Sequence, residues 1–240
     1  MKSEQKQSSG FTLVEISIVM IIIGLLIGGT FGGIKLVENM QVNRTAQDLK
    51  AFTSASVTFK DTYGRLPGDI VNPAARIPNC TDAPCATGGN GNRIIGLQGL
   101  WTQSIAATDE NFTYYHHLEA SGLMSSGIKN TLDMNFGEGQ PEAPIGGGYR
   151  VVHWNNRPLG PCPVNFPGHG FFLTGEATGD APNGANSRVI PCGLIGALDR
   201  KIDDGKAVGG YVQSTCQTVW VCGADDYATT GNGVAFVRGF

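Results

Sequence analysis

The chain has 240 residues, a formal net charge of −3 and 15% charged side chains. That balance argues against a general electrostatic grip on nucleic acid, which needs clustered Lys and Arg. Gly 35 and Pro 12 together make about a fifth of the residues, below the level that reads as disorder but enough to predict many turns.

Residues 1–10, MKSEQKQSSG, form a short polar leader, and FTLVEISIVMIIIGLLIGGTFGGI follows at 11–34. From Ile16 to Ile34 no side chain is charged. About 20 apolar residues at 1.5 Å rise are what a bilayer core asks of a helix, so 11–34 is predicted to be a transmembrane segment. It is too long for the apolar stretch of an ordinary cleaved secretory signal; a signal anchor, or a cut within Gly28 to Gly33, is the plainer alternative, and neither explains Glu15.

A carboxylate in hydrocarbon costs several kcal/mol or so and normally faces protein, so Glu15 needs a partner. A cut between Gly10 and Phe11 would leave it near a new amino terminus, where the helix dipole favours negative charge. The freed α-ammonium of Phe11 in a neighbouring subunit would serve better, since that pairing removes both charges from lipid.

Gly10 followed by FTLVEISIVMIIIGLLIGG resembles the cleavage and methylation signature of type IV prepilins and of the pseudopilins of type II secretion systems. The resemblance implies cleavage after Gly10 by a prepilin peptidase and methyltransferase on the cytoplasmic side, N-methylation of Phe11, and a subunit-docking role for Glu15. It is close over residues 10 to about 60 and scattered beyond. Many relatives carry a helix-kinking proline where this chain has Gly28, Gly29, Gly32 and Gly33. Gly24, Gly28 and Gly32, with Gly29 and Gly33, repeat at four-residue spacing, as in close-packed membrane helices. Glycine is also simply more frequent in membrane helices.

Helical periodicity continues over 35–63, with Leu49, Phe52, Phe59 and Tyr63 near three- and four-residue spacing. This predicts an amphipathic extension of the same helix, ended near Tyr63 by Gly64 and Pro67. Lys2 and Lys6 before the span, against Lys35 and Arg44 after it, barely decide orientation.

The six cysteines add more: Cys80, Cys85, Cys162, Cys192, Cys216 and Cys222 all follow the span, as expected for disulfides in a periplasm or outside the cell. Cys80 and Cys85 enclose TDAP, which suits a tight turn and a local bridge. QTVWV between Cys216 and Cys222, if extended, would hold their Cα atoms about 20 Å apart, beyond bridging distance. Unless that segment bends, those two pair with Cys162 and Cys192. Zinc is the rival reading, but no CxxC occurs.

Residues 64–240 are long enough to bury a core and are predicted to form a globular domain. Candidate strands are 149–154, 170–174, 188–190, 209–213, 218–221 and 234–237, rich in β-branched and aromatic residues and bounded by Gly, Pro or Asn. A second helix is predicted around Glu110 to Leu123. The fold class is then α+β, type IV pilin-like, with the long helix on an antiparallel sheet.

YGRLPGDI at 63–70, HLEASGL at 117–123 and KIDDG at 201–205 also look like minor pilins, although each serves equally as a helix stop, a helix cap or a turn. Asp199, Asp203 and Asp204 gather oxygens of the sort that bind calcium, which stabilises some pseudopilins. Their spacing is not that of an EF-hand, and Asp-Gly is also a common hairpin turn. His116, His117, His153 and His169 accompany no GxSxG, HExxH or P-loop context, so no catalytic site is expected.

The resemblance therefore implies a structural subunit of a type IV pilus-type filament, a minor pilin, assembled after leader cleavage. A pseudopilin of a type II secretion system, and a tip adhesin or DNA-binding minor pilin, are the alternatives. The implied partners are other pilin or pseudopilin subunits, the prepilin peptidase, an inner-membrane assembly platform, and lipid before assembly. The implied location is a single pass in the inner membrane with the carboxyl-terminal domain in the periplasm, and a filament afterwards.

Overall fold

A computed structural model describes residues 10–96, 105–155, 167–178, 186–207, 209–216, 227 and 230–240. Most of the leader, Cys162, Cys222 and the candidate strand at 218–221 lie outside the described residues. The chain divides into two compact units, Met1–Met40 and Gln41–Phe240.

The first unit is helical from Leu13 onward, and every described residue in it is exposed. The helix, α1, is continuous over Leu13–Tyr63. It stops where Gly64 adopts φ +71° and its N–H donates to Lys60 O at 2.8 Å. A residue with a Cβ reaches that left-handed conformation only at a cost, and Pro67 bars a further turn.

In the second unit, α1 buries Val42, Thr45, Ala46, Leu49, Phe52, Ala55, Ser56 and Phe59. These positions recur at three and four residues, one stripe of a 3.6-residue period. The stripe meets a four-stranded antiparallel sheet of order β1-β2-β6-β4, built from β1 (Gly148–Asn155), β2 (Pro167–Thr174), β6 (Ala235–Arg238) and β4 (Val212–Ser214). Register pairs Tyr149 with Leu173, Val151 with Phe171, Phe171 with Val237, Leu173 with Ala235, and Val212 with Val237. All of these belong to the core. Because side chains alternate along a strand, this register puts them on one face. Phe52 is the joint, its ring 5.0 Å from Tyr149 and 5.6 Å from Phe171 between centroids.

The helix α2 (Glu110–Ala120) buries residues all round its first nine positions. Tyr115 packs edge-on to Phe52 at 5.5 Å, and Ser56 Oγ hydrogen bonds to the Tyr114 hydroxyl. Asn111 Nδ2 donates to Val151 O at 2.7 Å, tying α2 to the sheet. Its end follows the HLEASGL reading: Gly122 takes φ +71° and donates to Glu119 O.

Four differences from the sequence expectations stand out. A third helix, α3, spans Cys192–Ile202, where the sequence expectations place no element. The run 188–190 contributes only Ile190 to β3 (Ile190–Pro191), paired with β5 (Asn232–Gly233). Val212–Ser214 is the strand within 209–214, shifted toward the carboxyl end. KIDDG is not a hairpin turn between strands; it is the exit of α3, with Gly205 at φ +79°. Apolar residues at Cys192, Ile195 and Leu198 all point into the core, so packing overrides the two glycines of this short segment.

Candidate functional site

The amino-terminal site is assembled by one turn of backbone. Thr12 precedes the helix, and its N–H and hydroxyl both donate to Glu15 Oε2 at 2.8 Å. Glu15 N–H returns a bond to Thr12 Oγ1 at 3.3 Å. This is a capping box, in which two otherwise unpaired helix-end donors are satisfied reciprocally. Its sequence signal is Thr12-Leu-Val-Glu15, and Glu15 already has a partner on its own chain. Gly10 and Phe11 stand just outside the helix, with Phe11 85% exposed.

Below this turn α1 offers an unbroken apolar surface, and among the described residues it is the helix long and apolar enough to cross a membrane. A Cβ built at Gly24, Gly28, Gly29, Gly32 or Gly33 meets nothing within 4 Å. Among the described residues nothing requires glycine at these five positions.

Among the described residues two cysteine pairs are bonded. Cys80–Cys85 closes the local loop, as the TDAP turn predicted, and Cys192–Cys216 joins the start of α3 to the chain after β4. His117 approaches the first pair, but both sulfurs are consumed in the bond. Its Nδ1 accepts from Gly68 N–H at 2.8 Å, so Nε2 carries the proton and donates to Cys85 O at 2.9 Å. Burial above all holds the His117 pKa down, to about 4. His116 points elsewhere, to Phe112 O. His169 faces His153 across β1 and β2 with ring centroids 4.6 Å apart, and its Nε2 accepts from Ile95 N–H. Burial, then the neighbouring His153 and Lys60, brings its pKa to about 4. These histidines act as neutral packing and hydrogen-bonding groups.

Asp199, Asp203 and Asp204 do converge, with carboxylate oxygens within 4.8 Å of one another. Asp199 accepts from Tyr227 OH at 2.8 Å and Gly205 N–H at 3.3 Å. Asp203 Oδ2 accepts from the N–H groups of Tyr211 and Val212, and Asp204 Oδ1 from Lys206 N–H. Burial chiefly, with the two neighbouring carboxylates adding, raises the Asp199 pKa to about 6. The donor set is all oxygen, which suits a hard cation, and it also braces the α3 exit.

A cleft of about 750 Å³ lies beside the second half of α1, lined by Arg44, Asp48, Phe52, Met124, Glu142 and Tyr149 among others. Asp48 accepts from Tyr149 OH at 3.1 Å there. Its charged groups are one cation and two carboxylates, and Ser125 and Ser126 add hydroxyls to the wall.

Residues 5–31 match a family model described as the prokaryotic N-terminal methylation motif. No curated protein and no solved structure matches the chain. The motif is that of type IV prepilin-like proteins and marks a pilin-like structural family. It implies processing by a prepilin peptidase and assembly with other pilin subunits, and together with the apolar helix it fits a single-pass membrane anchor.

Proposed function

We propose that this protein is a non-enzymatic structural subunit, of the minor-pilin type, of a type IV filament. Prepilin peptidase cuts after Gly10, Phe11 is N-methylated, and the mature chain waits in the inner membrane with its carboxyl-terminal domain in the periplasm. The observation that carries this reading is the capping box of Thr12 and Glu15 at the head of the exposed apolar stretch of α1. Such a surface is compatible with lipid before assembly and with other helices after it.

On extraction by the assembly platform, the Glu15 carboxylate turns to the α-ammonium of a neighbour's Phe11. Coulomb attraction at close range in a low-dielectric helix bundle is many times that in water, so the exchange favours the docked state. Gly24, Gly28, Gly29, Gly32 and Gly33 let neighbouring helices approach closely, consistent with the open space around each within a single chain. Asp199, Asp203 and Asp204 hold calcium and stiffen the α3 exit.

Glu15→Leu tests the docking role. The variant is expected to be cleaved and inserted normally but recovered in sheared filaments at a small fraction of the wild-type level; normal incorporation would overturn the role. Gly10→Val is expected to keep the leader, giving a larger band on a gel. A deletion that abolishes enzyme export while leaving surface pili intact would instead assign the chain to a type II secretion pseudopilus.

A further inference from the structure

The LPGD phrase at 66–69 does more than stop α1. Asp69 is fully buried, and its neighbour in the fold, Glu110, in the first turn of α2, is 8% exposed. Backbone contact enforces their proximity: a Cβ on Gly68 would stand 2.4 Å from Glu110 O, and Gly68 has φ +85°. Both carboxylates face one glycine-rich loop, residues 88–96. Asp69 Oδ2 accepts from Arg93 N–H at 2.8 Å, and Glu110 accepts from Asn90 N–H at 2.8 Å and Gly96 N–H at 2.9 Å. The loop is pressed tightly onto the turn, since a Cβ on Gly89 would lie 2.5 Å from Asp69 Cα.

The charges in this cradle are not balanced. Asp69 Oδ1 is buried with no hydrogen-bond donor. Among the described residues the ion pair is Lys129–Glu138, far along the chain, while the nearby Arg65 guanidinium is directed to Gly91 O at 2.7 Å. Asp109, next to Glu110, adds a third negative charge. The amino terminus of α2 and three N–H donors relieve part of this, but a buried carboxylate oxygen without a donor still costs several kcal/mol or so.

We propose that Asp69 and Glu110 bind a divalent cation of the calcium class, which locks the 88–96 loop to the start of α2. The ligands on offer are oxygens: Asp69 Oδ1 and the second lone pairs of the Glu110 carboxylate. Neither sulfur nor an imidazole with a free lone pair belongs to the cradle, because His117 Nδ1 is taken by Gly68 N–H. Hard oxygen donors at two fixed anions select calcium over zinc. The site is separate from the Asp199, Asp203 and Asp204 cluster, which lies on the exit of α3.

The full chain in detergent micelles, stripped with a chelator, decides this by equilibrium dialysis against radioactive calcium. In the Asp204→Asn background, which weakens the α3 cluster, calcium binding is expected to persist and to raise the thermal midpoint by several degrees. Adding Asp69→Asn or Glu110→Gln should then weaken binding at least tenfold. Asp69→Asn keeps an oxygen for Arg93 N–H, whereas Glu110→Gln keeps one for only one of the Asn90 and Gly96 N–H groups, which bond to different oxygens, and circular dichroism reports whether the fold survives. Should either double variant unfold, terbium emission sensitised by Tyr114 and Tyr115, one turn from Glu110, is read in Asp204→Asn alone and must be displaced by calcium. Absence of binding in Asp204→Asn, or binding indifferent to both Asp69→Asn and Glu110→Gln, overturns the proposal.

Discussion

Thr12 and Glu15 satisfy one another: a single carboxylate oxygen, Oε2, takes both the N–H and the hydroxyl of Thr12 at 2.8 Å. The acid is therefore held at the head of α1 in a defined position before any second subunit arrives. Removing the hydroxyl leaves the backbone bond and frees the carboxylate to swing. Thr12→Ala is expected to cost about 1 kcal/mol of helix-end stability, the usual worth of such a cap. It should leave cleavage unchanged while lowering filament incorporation, and Thr12→Ser should restore it. Immunoblots of sheared filaments against whole cells measure both.

The two disulfides should differ in what they contribute. Cys80–Cys85 spans a separation of 5 residues and Cys192–Cys216 one of 24. Loop-closure entropy predicts about 2 kcal/mol for the first and about 3 kcal/mol for the second. Denaturant unfolding of Cys192→Ser/Cys216→Ser is expected to show the larger loss, and Cys80→Ser/Cys85→Ser the smaller. Equal losses would mean that native packing, rather than chain closure, governs both.

His117 should make stability depend on pH with a definite sign. Its pKa is about 4 in the fold and near 6.5 when exposed, so between those values the unfolded chain binds a proton that the native chain does not. Its contribution is fully present above pH 6.5 and is lost as pH falls toward 4. Asp199, raised to about 6, acts in the opposite direction, so the whole-protein curve mixes the two. The comparison with His117→Gln isolates the histidine. The stability deficit of that variant should shrink by up to about 3 kcal/mol between pH 7 and pH 4. A deficit that stays constant would place the protonated imidazole comfortably inside the fold.

Phe52 couples α1 to the sheet through Tyr115, Tyr149 and Phe171. Phe52→Ala is expected to destabilise the domain by about 3 to 5 kcal/mol, the usual cost of emptying an aromatic core position. Thermal denaturation followed by near-ultraviolet circular dichroism would report it, because the lost ring sits among tyrosines. Phe52→Leu should recover more than half.

Local chemistry was legible along the chain. The apolar run, the amphipathic stripe of Val42 to Phe59, the stop at Gly64 and Pro67, and the short Cys80–Cys85 bridge each depend on residues a few positions apart. Spacing and dihedral preference determine such features before any tertiary contact forms. Thr12 belonged to this class as well, since Thr-x-x-Glu before an apolar run announces a capping box. Tertiary structure alone decided the sheet order β1-β2-β6-β4, the partnership of Cys192 with Cys216, and the helix at Cys192–Ile202. It also brought Asp69 of the LPGD turn beside Glu110, 41 residues later, and gave Asp199 the hydroxyl of Tyr227. The physical reason is the same in each case: burial against distant segments outweighs local propensities of a fraction of a kcal/mol or so per residue, and nothing in local spacing encodes which distant segment will be met.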